Sequence, residues 1–466
     1  MVLSTSVGYN TQRLSLKLTP EQAAEAARLG TEATKANAGG KYGEALNDMA
    51  QGIAVMRGVA WTPEAEFASA LRGKLDHAMI APGKVTVSVA PLYATPRASA
   101  AKLNVALALI AVGQDTVVLT APAPLDPAKP YVQQVTIPQS VSGNATIEVR
   151  LTVAEGLTPA LPGAFARNLT VHVEPLAADV QHLKDTLAKV GKSSNPALAS
   201  AEYTLALYDL ADKGETNPRA YNFKSEFANA QLVADALAAG KDPFTGRHGD
   251  FHKAYRSAVD QTLQPYRLYV PDNYDAAKGA PLVVALHGMG GDENGMFDSY
   301  GKELPRDAGK YGFLVVAPKG RGPASMYRGS AEKDVLDVIA EVERDYKVDL
   351  SRVYLMGHSM GGYGTWSTAI DHPDMFAALG PISGGGDVNG MVKIKHIPQY
   401  VTHGDTDPTV NVSMSRAMVE AGKKAGALIT YVEVPGGSHV SVAQPAFAPM
   451  MEFFSKVVKG KTVASE

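Results

Sequence analysis

The sequence predicts an α/β protein in which a mostly parallel β-sheet flanked by helices occupies residues 250–466. Helical segments and a small all-β sandwich precede it. Three observations indicate this order: alanine-rich stretches come first, short Val- and Thr-rich segments follow, and apolar runs ending in Gly-rich turns then alternate with helical stretches. That last alternation is typical of a parallel sheet covered on both faces.

Composition narrows the classes of protein to which the chain can belong. Its 466 residues carry 44 Lys and Arg against 47 Asp and Glu, a net charge of −3, so no nucleic-acid partner is expected. Cysteine is absent, which excludes disulfides, thiolate zinc sites and a cysteine nucleophile. We expect neither a membrane span, which needs about 18 apolar residues, nor a signal peptide. A soluble chain follows, while its compartment and oligomeric state stay open.

Residues 1–79 are predicted to be a helical region, with helix over 18–78. Thr19 is placed to cap a helix whose first residue is Pro20. A Gly-rich break then separates two alanine-rich stretches, and the phrase GKYGEAL resembles one unit of a tetratricopeptide hairpin. Because such units need about three copies to bury their apolar faces, a helical extension is the favoured interpretation.

Residues 80–176 are predicted to form a small β-sandwich, and residues 177–249 a helical linker region. Six segments of the sandwich are short and rich in Val, Thr, Leu and Ile: 84–93, 102–112, 116–121, 131–137, 144–153 and 168–175. Clusters of Pro, Gly, Asn and Asp separate them. This spacing is typical of an immunoglobulin-like sandwich.

From residue 250 the pattern is strand, turn, strand, followed by buried strands that alternate with helices, notably at 330–346 and 361–371. Folds of this kind place their chemistry at the carboxyl ends of the parallel strands. The Gly-rich turns fall at these ends, so we look there for a site.

The clearest functional signal is the segment RVYLMGHSMGG, in which a buried strand leads into G-x-S-x-G and then a helix. A sharp strand-to-helix turn holds its serine in strained backbone geometry, and side chains at Gly357 and Gly361 would clash there. Ser359 is therefore the candidate nucleophile.

Five phrases of residues 250–466 are specific enough for comparison with a known family: LVVALHGMGGDEN, GHSMGGYGTW, DHPDMFAALGPISGG, THGDTDPTV and GGSH. With them, this part of the chain resembles the α/β-hydrolase superfamily, and within it bacterial esterases of the polyhydroxyalkanoate-depolymerase and feruloyl-esterase type. The resemblance implies a serine carboxylic-ester hydrolase. Some members of this group carry an immunoglobulin-like domain ahead of the hydrolase, as predicted here.

A serine nucleophile needs a base and an orienting acid, which follow it in this fold in the order acid, then histidine. His439, on a Gly-rich loop, is the only histidine after the aspartates of THGDTDP. Asp405 and Asp407 both qualify by position. The family pattern H-G-x-x-D falls on Asp407, which is therefore the expected acid, while Asp405 is expected to shape the turn.

Two backbone N–H groups are expected to form an oxyanion hole. One belongs to Met360, directly after the nucleophile, and family correspondence assigns the other to Met289. Asp292 is predicted to cap the following helix.

Among the remaining histidines, His358 is predicted to pack, and His287 and His403 are expected to tie loops together. His248 and His252 precede the parallel strands, and we consider them as possible residues of the rim of the site.

Only 48 residues separate Ser359 from Asp407, which leaves little room for an inserted cap. The sequence thus predicts an open, lidless site for a small or polymeric ester. A peptidase resembling prolyl oligopeptidases is the main alternative, although the β-rich segment is too short for a propeller, and a non-catalytic binding module is a third. The chain contains neither a phosphate-loop pattern nor H-E-x-x-H, so no cofactor or metal is expected.

Overall fold

The computed structural model describes residues 2–153, 168–191, 193–322 and 324–461. The chain divides into two compact units, one formed by Met1–Val180 with Leu205–Lys224 and the other by Gln181–Thr204 with Ser225–Glu466. The predicted linker region at 177–249 thus contributes to both units, and the domain boundaries stay predictions. Those parts of the predicted domains that fall on 154–167 and 462–466 lie outside the described residues.

The α-helices of the described residues fall into three groups: four before the first strand, three in the predicted linker region and six among the later strands. They are α1 (Val2–Ser15), α2 (Pro20–Ala38), α3 (Tyr42–Met56), α4 (Pro63–Ala70), α5 (Ala177–Val190), α6 (Leu198–Asp212), α7 (Phe223–Ala238), α8 (Gly295–Asp298), α9 (Glu303–Gly309), α10 (Ser330–Asp345), α11 (Met360–Asp371), α12 (Ser413–Lys424) and α13 (Ala443–Ser455).

The β-strands fall into two groups, before and after the predicted linker region. They are β1 (Leu71–Leu75), β2 (Met79–Ile80), β3 (Lys84–Pro91), β4 (Leu103–Ala111), β5 (Val117–Val118), β6 (Ala123–Pro124), β7 (Tyr131–Thr136), β8 (Gly143–Val153), β9 (Asn168–Val173), β10 (Gly249–Arg256), β11 (Leu263–Val270), β12 (Ala280–Leu286), β13 (Leu314–Pro318), β14 (Val348–His358), β15 (Ala378–Ile382), β16 (Gln399–Gly404) and β17 (Ile429–Val434).

The N-terminal helices begin as the sequence predicts. Thr19 caps α2: its Oγ1 accepts a hydrogen bond from the Gln22 N–H, and the Gln22 side chain accepts one from the Thr19 N–H, at 3.2 and 3.0 Å. The sequence predicts helix up to residue 78, and this prediction is wrong for residues 71–75. Leu71–Leu75 is strand β1, because it pairs along its whole length with β3.

Two sheets form a β-sandwich in the first unit. One sheet has the order β1-β3-β7, and the other the order β2-β9-β8-β4-β5, with β6 also on β4. Buried side chains from both sheets, among them Val87, Val105, Ile147 and Val171, belong to one hydrophobic core. A sandwich is thus present in the described residues, while its immunoglobulin-like character stays a prediction.

The second unit contains an eight-stranded sheet in the order β10-β11-β13-β12-β14-β15-β16-β17. The pairs β10–β11 and β11–β13 are antiparallel and all the others are parallel, which confirms the predicted mostly parallel sheet. Every residue of β12 is buried, as expected of a strand with both faces covered. The helices predicted at 330–346 and 361–371 are α10 and α11.

The connection between β15 and β16 contains one short 3₁₀-helix, Val388–Val392. Among the described helices, none has both the length and the apolar character needed to cross a membrane.

The central strand β14 gives a test of this packing. Leu355 is fully buried, whereas Leu350 on the same strand is 53% exposed. Leu355→Ala should lower the free energy of unfolding of the second unit by about 2–5 kcal/mol, because it leaves a cavity. Leu350→Ala should change it by no more than about 0.5 kcal/mol. Urea unfolding followed by Trp366 fluorescence in a Trp61→Phe background measures both, and equal effects would contradict the packing described.

Candidate active site

Ser359 lies in the sharp turn between β14 and α11, which we call the elbow (residues 357–361). Its φ of 58° and ψ of −118° are strained for a residue with a side chain. A Cβ at Gly357 would overlap the Gly361 carbonyl oxygen, and a Cβ at Gly361 would overlap that of Leu286. The predicted need for glycine at both positions is confirmed. The elbow thus holds the Ser359 side chain at the carboxyl end of β14.

His439 lies between Ser359 and Asp407 and is within hydrogen-bonding distance of both. Its Nε2 is 2.9 Å from Ser359 Oγ, and its Nδ1 is 2.6 Å from Asp407 Oδ2. Ser359 follows β14, Asp407 follows β16, and His439 lies in the loop between β17 and α13. Three residues that are distant in sequence therefore meet at one edge of the sheet.

Asp407 is held by several donors. Its Oδ1 accepts hydrogen bonds from the Thr409 and Val410 N–H groups at 2.8 and 2.9 Å. Burial raises the pKa of Asp407, but the hydrogen bond from His439 and these two N–H groups outweigh that effect, so its pKa lies below the ordinary value. The carboxylate is therefore ionised and fixed in orientation beside His439.

Asp405 forms no hydrogen bond with His439 in the described structure. Its carboxylate accepts a hydrogen bond from the Gly436 N–H at 2.7 Å, in the loop that carries His439. The sequence predicts that Asp405 shapes its own turn, whereas the structure shows it holding the neighbouring loop. The strands β16 and β17 are parallel neighbours, so the two loops that follow them meet.

The two predicted oxyanion donors flank the elbow. Gly288, the residue before Met289, approaches Ser359 so closely that a Cβ at Gly288 would lie 3.4 Å from Ser359 Cβ. Met360 follows Ser359 directly, as the first residue of α11. In the described part of the chain, neither of these two N–H groups has a hydrogen-bond acceptor.

The helix cap near Met289 differs from the prediction. The N-cap of α8 is Asn294, not Asp292. The Asp292 carboxylate instead accepts a hydrogen bond from the Asn294 N–H at 2.9 Å, which forms a turn just before the helix.

His287 and His403 tie loops together, as predicted. His287 Nε2 is 2.9 Å from the Lys319 carbonyl oxygen, and His403 Nε2 is 2.9 Å from that of Val410. His358 does more than pack: its Nε2 is 2.8 Å from the carbonyl oxygen of His439.

His252, considered from the sequence as a rim residue, is instead half-buried and lies between Glu226 and Asn294, at 2.8 and 2.7 Å. Burial alone would lower the pKa of His252, but the hydrogen bond and charge of Glu226 raise it to about 9. His248 contacts the Pro271 carbonyl oxygen at 2.9 Å. Among the residues that the structure describes, no group of three or more His, Asp or Glu is placed to hold a metal ion.

Comparison with known proteins identifies relatives of the second unit. The Esterase family model matches residues 261–424. A bifunctional acetylxylan esterase/xylanase of Neocallimastix patriciarum is 32% identical over 147 residues, which are 31% of this chain and 21% of that protein. Among solved structures, one titled as a thermostable esterase is 27% identical with a TM-score of 0.38, covering 45% of this chain and 63% of that one.

A protein of Aspergillus oryzae named "Probable feruloyl esterase C" is 32% identical over 191 residues. The match spans 38% of this chain and 68% of that protein. The chain therefore belongs to the family of α/β-hydrolase-type serine esterases.

Proposed function

We propose that this protein is a carboxylic-ester hydrolase in which Ser359 is the nucleophile, His439 the general base and Asp407 the orienting acid. The observation that carries the proposal is the pair of hydrogen bonds that joins His439 to Ser359 and to Asp407. A serine hydroxyl is a weak nucleophile until such a base takes its proton.

In the first half of the reaction, Ser359 Oγ attacks the carbonyl carbon of the ester while its proton passes to His439 Nε2. The ionised Asp407 accepts a hydrogen bond from His439 Nδ1–H and stabilises the imidazolium that forms. The tetrahedral intermediate then collapses: the bond to the alcohol oxygen breaks, and that oxygen receives the proton from His439. An acyl group remains on Ser359.

In the second half, water takes the place of the alcohol. His439 accepts a proton from the water, whose oxygen attacks the acyl carbon, and the bond to Ser359 Oγ breaks as the proton returns to the serine. Both tetrahedral intermediates carry a negative oxygen. We assign its stabilisation to the N–H groups of Met289 and Met360, each worth about 3–4 kcal/mol in such sites.

We also propose that the site is open and lidless. The short connection between β15 and β16, with its single 3₁₀-helix, supports this because caps of this fold are inserted between the strands. The Met289 side chain beside the proposed oxyanion hole is 48% exposed. An open site accommodates bulky or polymeric esters.

An aryl ester of the feruloyl type is the specific substrate class that we favour. This proposal rests on the name of the Aspergillus oryzae relative. The acetylxylan esterase in the name of the other relative supports ester hydrolysis in general. A peptidase of the prolyl-oligopeptidase type is the alternative. Within the described residues, the β-strands of the first unit form a two-sheet sandwich and not a propeller. This argues against a peptidase of the prolyl-oligopeptidase type.

A substrate panel tests the reaction class. The protein should hydrolyse p-nitrophenyl acetate and methyl ferulate but not an aminoacyl-p-nitroanilide. Ser359→Ala should lower kcat on these esters by a factor on the order of 10⁶. Ser367→Ala on the same helix, whose hydroxyl contacts only the Gly364 carbonyl oxygen in the described structure, is the matched control and should retain full activity. Faster cleavage of the anilide than of the esters would favour the peptidase.

The neighbouring aspartates test the choice of acid. Asp407→Asn should lower kcat by roughly 10⁴-fold, because the amide no longer stabilises the correct tautomer and the imidazolium of His439. Asp405→Asn keeps an oxygen that can accept the Gly436 N–H, so its kcat should stay close to that of the wild type. Steady-state kinetics on p-nitrophenyl acetate compares the two variants, and the reverse ranking would assign the role to Asp405.

A further inference from the structure

We propose that Tyr300 and His358 are positioning residues that hold the main chain of His439 in place for proton transfer. The inference rests on the proposed function of His439 as the general base. It assigns a role to two side chains that the Ser-His-Asp mechanism itself does not use.

The three residues form a continuous chain of hydrogen bonds. His358 Nε2 is 2.8 Å from the His439 carbonyl oxygen, and the Tyr300 hydroxyl is 2.7 Å from His358 Nδ1. His358 is 3% exposed, and its ring lies 4.7 Å from the ring of His439, measured between centroids. The His358 side chain therefore contacts both the backbone and the ring of His439.

The partners of His358 determine where its proton lies. A carbonyl oxygen only accepts hydrogen bonds, so His358 Nε2 carries the hydrogen and donates it to His439. In a neutral imidazole the other nitrogen is then an acceptor, and the Tyr300 O–H donates to it. Tyr300 thus holds His358 in the one neutral tautomer that can bind the His439 carbonyl oxygen.

His358 also stays uncharged at neutral pH. Burial lowers the pKa of His358, and the nearby His439 lowers it further, to about 4. A neutral His358 adds no positive charge beside the base, where a charge would oppose protonation of His439.

The backbone at Tyr300 is strained, and the Tyr300 ring packs against two other rings. Tyr300 and Lys302 have φ values of 57° and 58°, in the left-handed region that residues with side chains rarely adopt. The Tyr300 ring packs edge-on against His358 and against Phe447 of α13, with centroids 5.4 and 5.7 Å apart. Since α13 follows the loop of His439, Tyr300 contacts both the elbow and the element after the base.

Asp405 and His358 supply two of the hydrogen bonds that fix the loop carrying His439. Asp405 accepts the Gly436 N–H near its start, and His358 donates to the His439 carbonyl oxygen at the base itself. The imidazole must stay within hydrogen-bonding distance of Ser359, and a displacement of about 1 Å can cost as much as 100-fold in rate. Fixing the backbone of His439 prevents such a displacement.

Tyr300→Phe tests the inference in the full-length protein, because it removes the hydroxyl and keeps the ring. It should lower kcat on p-nitrophenyl acetate about tenfold, with KM changed less than twofold. The proton that His439 Nδ1 shares with Asp407 should give a far-downfield NMR resonance in the wild type, and the variant should shift or broaden it. Tyr354→Phe is the matched control, since Tyr354 donates a buried hydrogen bond to the Val457 carbonyl oxygen. It should leave kcat and the resonance unchanged.

His358 variants give a second test. His358→Gln, whose amide can donate to the same carbonyl oxygen, should keep more activity than His358→Leu. Tyr300→Phe should have no further effect in the His358→Leu background, because Tyr300 acts through His358.

The inference would be overturned if Tyr300→Phe kept the kcat and the NMR resonance of the wild type. It would also be overturned if both tyrosine variants lost kcat equally. If Ser359→Ala is inactive in the same experiment, the proposed function stands whether or not the inference on Tyr300 and His358 holds. An active Ser359→Ala would overturn both.

Discussion

The strained turn at Ser359 is the constraint on which the rest of the site depends. A residue with a side chain is held at a φ of 58°, which is possible only because the chain approaches itself closely on both sides. Gly357 lies against the Gly361 carbonyl group, and Gly361 lies against that of Leu286 at the end of β12. The Ser359 N–H also donates to the Ile382 carbonyl oxygen at the end of β15, at 2.9 Å. The elbow is thus fixed to the strands on both sides of β14.

That attachment places Ser359 at the sheet edge where the proposed catalytic groups converge. The parallel strands β12, β14, β15 and β16 end at the same edge of the sheet, so the loops that follow them meet there. Asp407 comes from the loop after β16, and Gly288 with Met289 from the loop after β12. His439 comes from the loop after β17, which is parallel to β16 and ends at the same edge. Asp405 and His358 hold this loop through hydrogen bonds to its backbone.

Much of this arrangement could be predicted from the sequence. The strand, the elbow and the helix α11 follow from the pattern around Ser359, and His439 follows because no other histidine comes after Asp407. The choice of Asp407 over Asp405 depended on a family pattern, since both aspartates lie in the same turn. Local pattern also misplaced β1, because its strand conformation comes from pairing with β3. The contacts of His358 and His252 involve residues 26 to 81 positions away, and no spacing in the sequence indicates them.

The proposed function requires that Ser359 becomes a covalent nucleophile when His439 removes its proton. Reaction with a fluorophosphonate, followed by mass spectrometry of the digested protein, is the decisive test. We expect a single adduct, on the peptide that contains Ser359, and a labelling rate at least about 100-fold lower in His439→Ala, because the general base is lost. An adduct on another residue, or labelling of Ser359 at an unchanged rate without His439, would contradict it.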